Sequence, residues 1–257
     1  MRQQVNGTVW TRFSVGAAIA VAIAFVWSLS AAQAQDTMST EPGAYAEGAP
    51  TRTSESQASV IRLRSETDLE AVLATDGWRA GPFFIDSPLP DGYPAPTPPG
   101  ALELKVYPSV RRAEIDSIGS SRGGFWPLFQ HIQRRNIPMT APVEMDYEGW
   151  TSDSPPERSS MSFLYRSPDE GEAGDDGAIR VYDTETITVI SRGFNGSYRI
   201  TALNDELAEV EAWIEASDEW ERDGEPRVFG YNGPGVPRNR MWGEVQIPVR
   251  KIIEAGE

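Results

Sequence analysis

The chain has 257 residues, a formal net charge of −15, one histidine and no cysteine. So acidic a chain is repelled by phosphate backbones and anionic lipid, which argues against nucleic acid as a partner. Lacking cysteine, it forms no disulfide and no His/Cys zinc cluster, so packing alone must stabilise it.

At the N-terminus, Arg2 and Arg12 precede the uncharged apolar run Val15–Leu29, and Ala32-Gln33-Ala34 follows as a small-x-small cleavage site. The run's 15 residues fall short of the roughly 20 that a spanning helix needs. Residues 1–34 therefore read as a cleaved signal peptide in preference to an uncleaved anchor, which implies a periplasmic or extracellular protein with no stable membrane span once cleaved. Its removal takes away two arginines and no acid, so the net charge moves from −15 to −17 and the length from 257 to 223.

Residues 35–57 are small, polar and Pro/Gly-containing, the composition of a disordered tether. Ser65-Glu66-Thr67-Asp68 has the form of a capping box. Leu69, Val72 and Leu73 then share one face, and Gly77 stands where a C′ glycine would. These signals predict an N-terminal helix. Seven prolines between Pro82 and Pro99 follow, predicting an extended arm, so that residues 58–100 form an N-terminal helix and Pro-rich arm.

The compact domain is expected over residues 101–257. Phe125, Leu128, Phe129 and Ile132 fall at i, i+3, i+4 and i+7, the stripe of an amphipathic helix. Met139, Ala141, Val143, Met145 and Tyr147 alternate with polar or proline positions, which predicts a strand. Pro138 and Pro142 cannot donate to a ladder, so this strand is expected at an edge or with a bulge. The layout recurs: Leu207, Val210 and Ile214 repeat Phe125, Leu128 and Ile132 at a constant offset of 82. Strand segments at 106–119 and 181–193 precede the two helices. Met139–Tyr147 with Met161–Arg166, and Arg227–Tyr231 with Met241–Val249, follow them. The predicted fold is α+β: two pseudo-symmetric β-α-β-β halves forming twisted antiparallel sheets with a helix on each. Glu148–Arg158 and Pro168–Gly177 read as solvated connections. The second contains an acidic run without EF-hand spacing, expected to be a mobile acidic loop rather than a calcium site.

Asn136-Ile137-Pro138-Met139-Thr140-Ala141-Pro142-Val143 resembles the most recognisable motif of the SOUL haem-binding protein family. Leu102–Pro108 is similar to the family's first strand, Gly124–Ile132 to its first helix, and Met161–Leu164 to the strand after the motif. Tyr231-Asn232-Gly233-Pro234, with Arg238-Asn239 and Glu244-Val245, resembles the C-terminal signature. The resemblance spans roughly residues 101–249. It implies a pair of twisted antiparallel sheets with a helix on each, and a haem- or porphyrin-binding role as tetrapyrrole carrier or buffer. It also implies a wider kinship with GyrI-like small-molecule-binding domains. A first-strand histidine proposed as iron ligand in some animal members is Val106 here.

Within that frame, His131 lies about 110° from the centre of the helix stripe at 100° per residue, at the rim of the buried face. It is either an axial ligand to haem iron or a boundary histidine bonded to backbone or water. Phe125, Trp126 and Phe129 offer flat surfaces for a macrocycle, or core packing. Met139, like Met145, Met161 and Met241, supplies soft sulfur or fills gaps. Arg134 and Arg238 can hold propionates, Arg134 being equally placed to steady the helix C-terminus. The ligand is expected to be a small hydrophobic molecule bound in an apolar cleft beside the first helix. No G-x-S-x-G, H-E-x-x-H, P-loop or G-x-G-x-x-G motif is present, which leaves few enzyme constellations. Two alternatives stand beside the carrier reading. One is a GyrI-like hydrolase with Glu244 as general base and Tyr231 as acid; the other is an envelope interaction module using the Pro-rich arm.

Overall fold

The computed structural model describes residues 59–116 and 121–253, all within the unit Ser39–Glu257. The predicted signal peptide and tether lie outside these residues. No helix among the described residues is long and apolar enough to cross a membrane.

The described residues are mixed α+β, mostly antiparallel sheet with two α-helices. In chain order the strands are β1 (Val60–Ser65), β2 (Val72–Ala74), β3 (Gly77–Ala80), β4 (Phe83–Ile85), β5 (Ala101–Tyr107) and β6 (Arg111–Asp116). Helix α1 (Ser121–Arg134) leads to β7 (Val143–Glu148), β8 (Arg158–Leu164), β9 (Gly174–Asp176), β10 (Ile179–Asp183) and β11 (Ile187–Asn195). Helix α2 (Asn204–Glu215) precedes β12 (Trp220–Arg222), β13 (Arg227–Gly230) and β14 (Trp242–Lys251). The large sheet runs β1-β5-β11-β14-β13-β7-β8-β6-β10-β9, with β12 on β14, and β2-β3-β4 form a small sheet of their own. Helix α1 packs on β8 and β6, and α2 on β11 and β14.

Strand period decides what each face buries. On β7, Met145 and Tyr147 join Leu128 and Ile132 of α1 in the larger core, which also takes in Leu207, Val210 and Ile214 of α2. Glu144 points the other way and is still buried, because the inner face of the sheet is covered too. Its cover is the chain's own N-terminal arm. Phe83 and Ile85 of the small sheet pack on Val189, Phe229, Tyr231 and Trp242. The arm is fastened by single bonds: Ala141 N donates to Pro88 O at 2.9 Å, Asp91 N to Arg166 O at 2.8 Å, and Gly100 N to Gly193 O at 2.9 Å. Gly193 lets the arm lie that close, since a Cβ there would stand 2.2 Å from Pro98 O and 2.4 Å from Thr97 O.

The structure corrects three expectations. Residues 65–77 contain no helix; they leave β1 and enter the β2–β3 hairpin. The Ser65 hydroxyl closes a turn, donating to Thr67 O at 2.6 Å and accepting from Thr67 N at 3.3 Å, so the supposed cap is a local Ser turn. Gly77 has φ 138° and abuts the carbonyl of Ile85, a hairpin glycine rather than a helix stop. Second, β7 is not an edge strand: it pairs with β13 and β8, because both prolines precede Val143, where the ladder starts. Third, Asp175 and Asp176 are not in a free acidic loop but in β9, paired with β10.

Candidate functional site

Helix α1 ends where Asn136 takes φ 55° and Ile137 N donates back to Ile132 O at 2.9 Å, an αL stop that needs few residues. Leu128 and Ile132 face the core. On the flank, Phe125 and Phe129 stack at 6.0 Å with an interplanar angle of 11°, and Trp126 stacks on Phe129 at 5.6 Å and 20°. Phe125 is braced edge-on by Phe163 at 5.1 Å. Phe125, Phe129 and Met139 are partly buried against the larger core, whereas Trp126 is 50% exposed. The result is a rigid aromatic ledge of nearly parallel rings.

Of the remaining predicted site residues, Arg134 is an exposed side chain on the same helix. Arg238 is in a short 3-10 turn that packs at β11, across β14, β13 and β7 in the strand order from the β8/β6 surface that carries α1. His131 is not at a rim but fully buried. Its Nδ1 lies 2.6 Å from Asp176 Oδ2 and its Nε2 2.9 Å from Tyr165 Oη. With both ring nitrogens engaged, iron ligation would require one of these bonds to break. The hydrogen bond from His131 holds the Asp176 carboxyl below the usual carboxylate range, helped by Arg134 and Arg135 at 3.5 Å each. Burial pushes the Tyr165 phenol up to about 12.

The inner face carries two buried polar groups that the sequence reading largely missed. In one, Glu244 accepts from Tyr231 Oη at 2.6 Å, Ser191 Oγ at 2.6 Å, Gln246 Nε2 at 2.6 Å and Thr97 N of the arm at 2.7 Å. Lys105 Nζ lies 3.1 Å from both carboxylate oxygens. Burial alone would raise the Glu244 pKa, but Lys105 and these donors outweigh it and hold the carboxyl low. The Glu244/Tyr231 pair of the hydrolase alternative therefore exists, but as an ionised, sealed hub with no exposure of Glu244.

In the other group, Glu144 accepts from Arg227 Nη1 at 2.9 Å and pairs with Arg112 Nη1 at 3.1 Å. Burial opposes its ionisation, yet the two guanidiniums keep it below its ordinary value. Asp146, next on the same face with its side chain 31% exposed, is pushed the other way, up to about 7, by partial burial and by the Glu144 charge. This second group lines a cleft of about 420 Å³, roofed by Tyr93 of the arm and reaching Tyr107 and Tyr182. The alternation of β7 signalled a polar face. Nothing in the sequence signalled that Arg112 and Arg227, from distant strands, would meet it. No group of three or more His, Cys, Asp or Glu residues is placed to hold a metal ion among the described residues.

The described residues thus combine a sheet, two helices, an aromatic ledge and a polar cleft. The family model described as SOUL heme-binding protein matches residues 96–248, and the chain belongs to that family. A search of curated protein sequences finds no match. Among solved structures, the EcmrR C-terminal domain is similar at 16% identity and a TM-score of 0.49, covering 59% of this chain and 98% of that one. EcmrR in complex with DNA gives 17% identity and a TM-score of 0.49, this chain spanning 57% of its length and 59% of its own. A hydrolase from Listeria innocua gives 13% identity and a TM-score of 0.43, covering 61% of this chain and 94% of that one. These are distant likenesses of shape.

Proposed function

We propose that the protein binds haem or a related porphyrin as a carrier or buffer, laying one face of the macrocycle on the Phe125–Trp126–Phe129 ledge. The observation that carries this reading is the near-parallel stack with Trp126 half exposed. A flat ring placed there buries apolar area worth about 25 cal/mol per Å², and rings already fixed by packing lose little entropy on binding. Met139 is partly buried against the larger core, and Arg134, an exposed side chain with a long 3.5 Å bond to Asp176, can exchange that contact for a propionate. His131 has no part in this mode while Asp176 and Tyr165 hold its nitrogens. The strand order also supports two similar halves: β5-β11-β14-β13 reads outward-in as β10-β6-β8-β7 does from the other end. Export to the periplasm or beyond belongs to the same reading, supported by the apolar run after Arg12.

The test is a haemin titration followed by the Soret band. The expected result is a saturable shift that Trp126→Ala weakens about tenfold, the loss of one aromatic contact, while His131→Ala leaves the band position unchanged. Absence of any shift in the unaltered protein overturns the proposal.

A further inference from the structure

The cleft on the inner face has one unmet donor and, opposite it, one weakly held carboxyl. Arg227 and Asp146 are directly opposite across the β13–β7 ladder, so their side chains share one face. Arg227 Nε donates to Gln246 Oε1 at 2.8 Å and Nη1 to Glu144 at 2.9 Å, but Nη2 is buried without a hydrogen-bond partner. The Arg227 side chain is 8% exposed, so this orphaned donor carries a cost that an acceptor would relieve. Asp146 shares a hydrogen bond with Glu144 and is otherwise held loosely, with Arg112 Nη1 at 3.3 Å and the Ser160 hydroxyl at 3.4 Å. Arg112 is itself shared with Glu114 and Glu144.

Charge selects the ligand. The lining holds Glu144, Asp146, Asp183, Glu185 and Glu225 against Arg112 and Arg227. Asp183 is paired with Arg111 and Glu225 with Arg222 from outside it, so the small negative excess left at Asp146 and Glu185 favours a cation over an anion. A bare cation would leave Nη2 of Arg227 unmet. We propose that this cleft is a second binding site, for a small primary ammonium compound with an oxygen acceptor two or three bonds from the nitrogen, such as an amino alcohol. The ammonium would take its place at Asp146 and the oxygen at Arg227 Nη2. Asp146 meets Glu144 on its own strand, Arg227 from β13, Arg112 and Glu114 from β6, and Tyr93 from the arm. In that negative field a proton neutralises it near pH 7, and a ligand ammonium can replace the proton.

The probe is ethanolamine, titrated into the full chain and followed by 1H–15N NMR at pH 8 and pH 6. The expected result is saturable shifts confined to β7, β13 and β6, with binding about tenfold weaker at pH 6, where the proton competes for Asp146. n-Propylamine, of the same charge but without the oxygen, is expected to bind at least about fivefold more weakly. Folded Asp146→Asn protein should show no saturable shift. No saturation at either pH, shifts elsewhere, equal binding of propylamine, or retained binding in Asp146→Asn would each overturn the proposal. The pH comparison on the unaltered chain keeps the test decisive if that variant does not fold.

Discussion

Two carboxyls two residues apart on the same strand face, Glu144 and Asp146, are driven in opposite directions by position alone. Glu144 has two guanidiniums within 3.1 Å; Asp146 has one at 3.3 Å and the charge of Glu144 beside it. An aspartate whose pKa rises to about 7 on folding binds its proton more tightly in the folded state. Its stabilising contribution is full below the unfolded value near 4 and disappears as pH rises through about 7. Glu144 and Glu244, with lowered values, contribute above their unfolded values and lose that contribution only in acid. Thermal unfolding should therefore show the midpoint falling between pH 5 and pH 8, and Asp146→Asn should flatten that slope. The Glu244 hub gives a second expectation. Lys105→Met leaves a buried carboxylate without its cation and should cost about 3–5 kcal/mol in denaturant unfolding. Adding Glu244→Gln, which removes the orphaned charge, should recover a large part of that loss.

At the scale of elements, legibility followed periodicity. The stripes of α1 and α2 and the alternation of β7 are written in single residues; the helices appear where the spacing put them, while the strand takes up only Val143, Met145 and Tyr147 of the expected Met139–Tyr147 run. What failed were signals whose meaning depends on a remote neighbour. Ser65 has the same hydroxyl whether it caps a helix or closes a turn, and the sheet edge offered by β5 decided for the turn. Pro138 and Pro142 marked a boundary rather than an edge. His131 was legible as lying beside the apolar stripe, but its partners Asp176 and Tyr165 come from 45 and 34 residues away. Docking of the arm, likewise, rests on a glycine whose role only the fold reveals. Gly193→Ala would drive a methyl into the carbonyls of Thr97 and Pro98. Unfolding measurements should find a loss of several kcal/mol, with a change in fluorescence from Trp242, whose Nε1 donates to Thr97 O at 2.7 Å.

Over the whole molecule, the two faces of one sheet divide the labour. The outer face is closed by α1 and α2 and presents an aromatic ledge at its margin. The inner face is closed by the arm and keeps a charged hollow. A sequence can announce the first, because a helix stripe and its exposed aromatics are local. It cannot announce the second, because Glu144, Arg112 and Arg227 sit on three strands brought together only by topology.

The arm has seven prolines between Pro82 and Pro99, and residues without an N–H cannot enrol in a ladder. It is consequently riveted at separate points, Pro88, Asp91, Thr97 and Gly100, rather than zipped on as another strand. Any rivet can let go without unpicking a pair of strands beneath. No ladder of the large sheet runs through these prolines, so the shutter can lift at one point while the strands beneath stay paired.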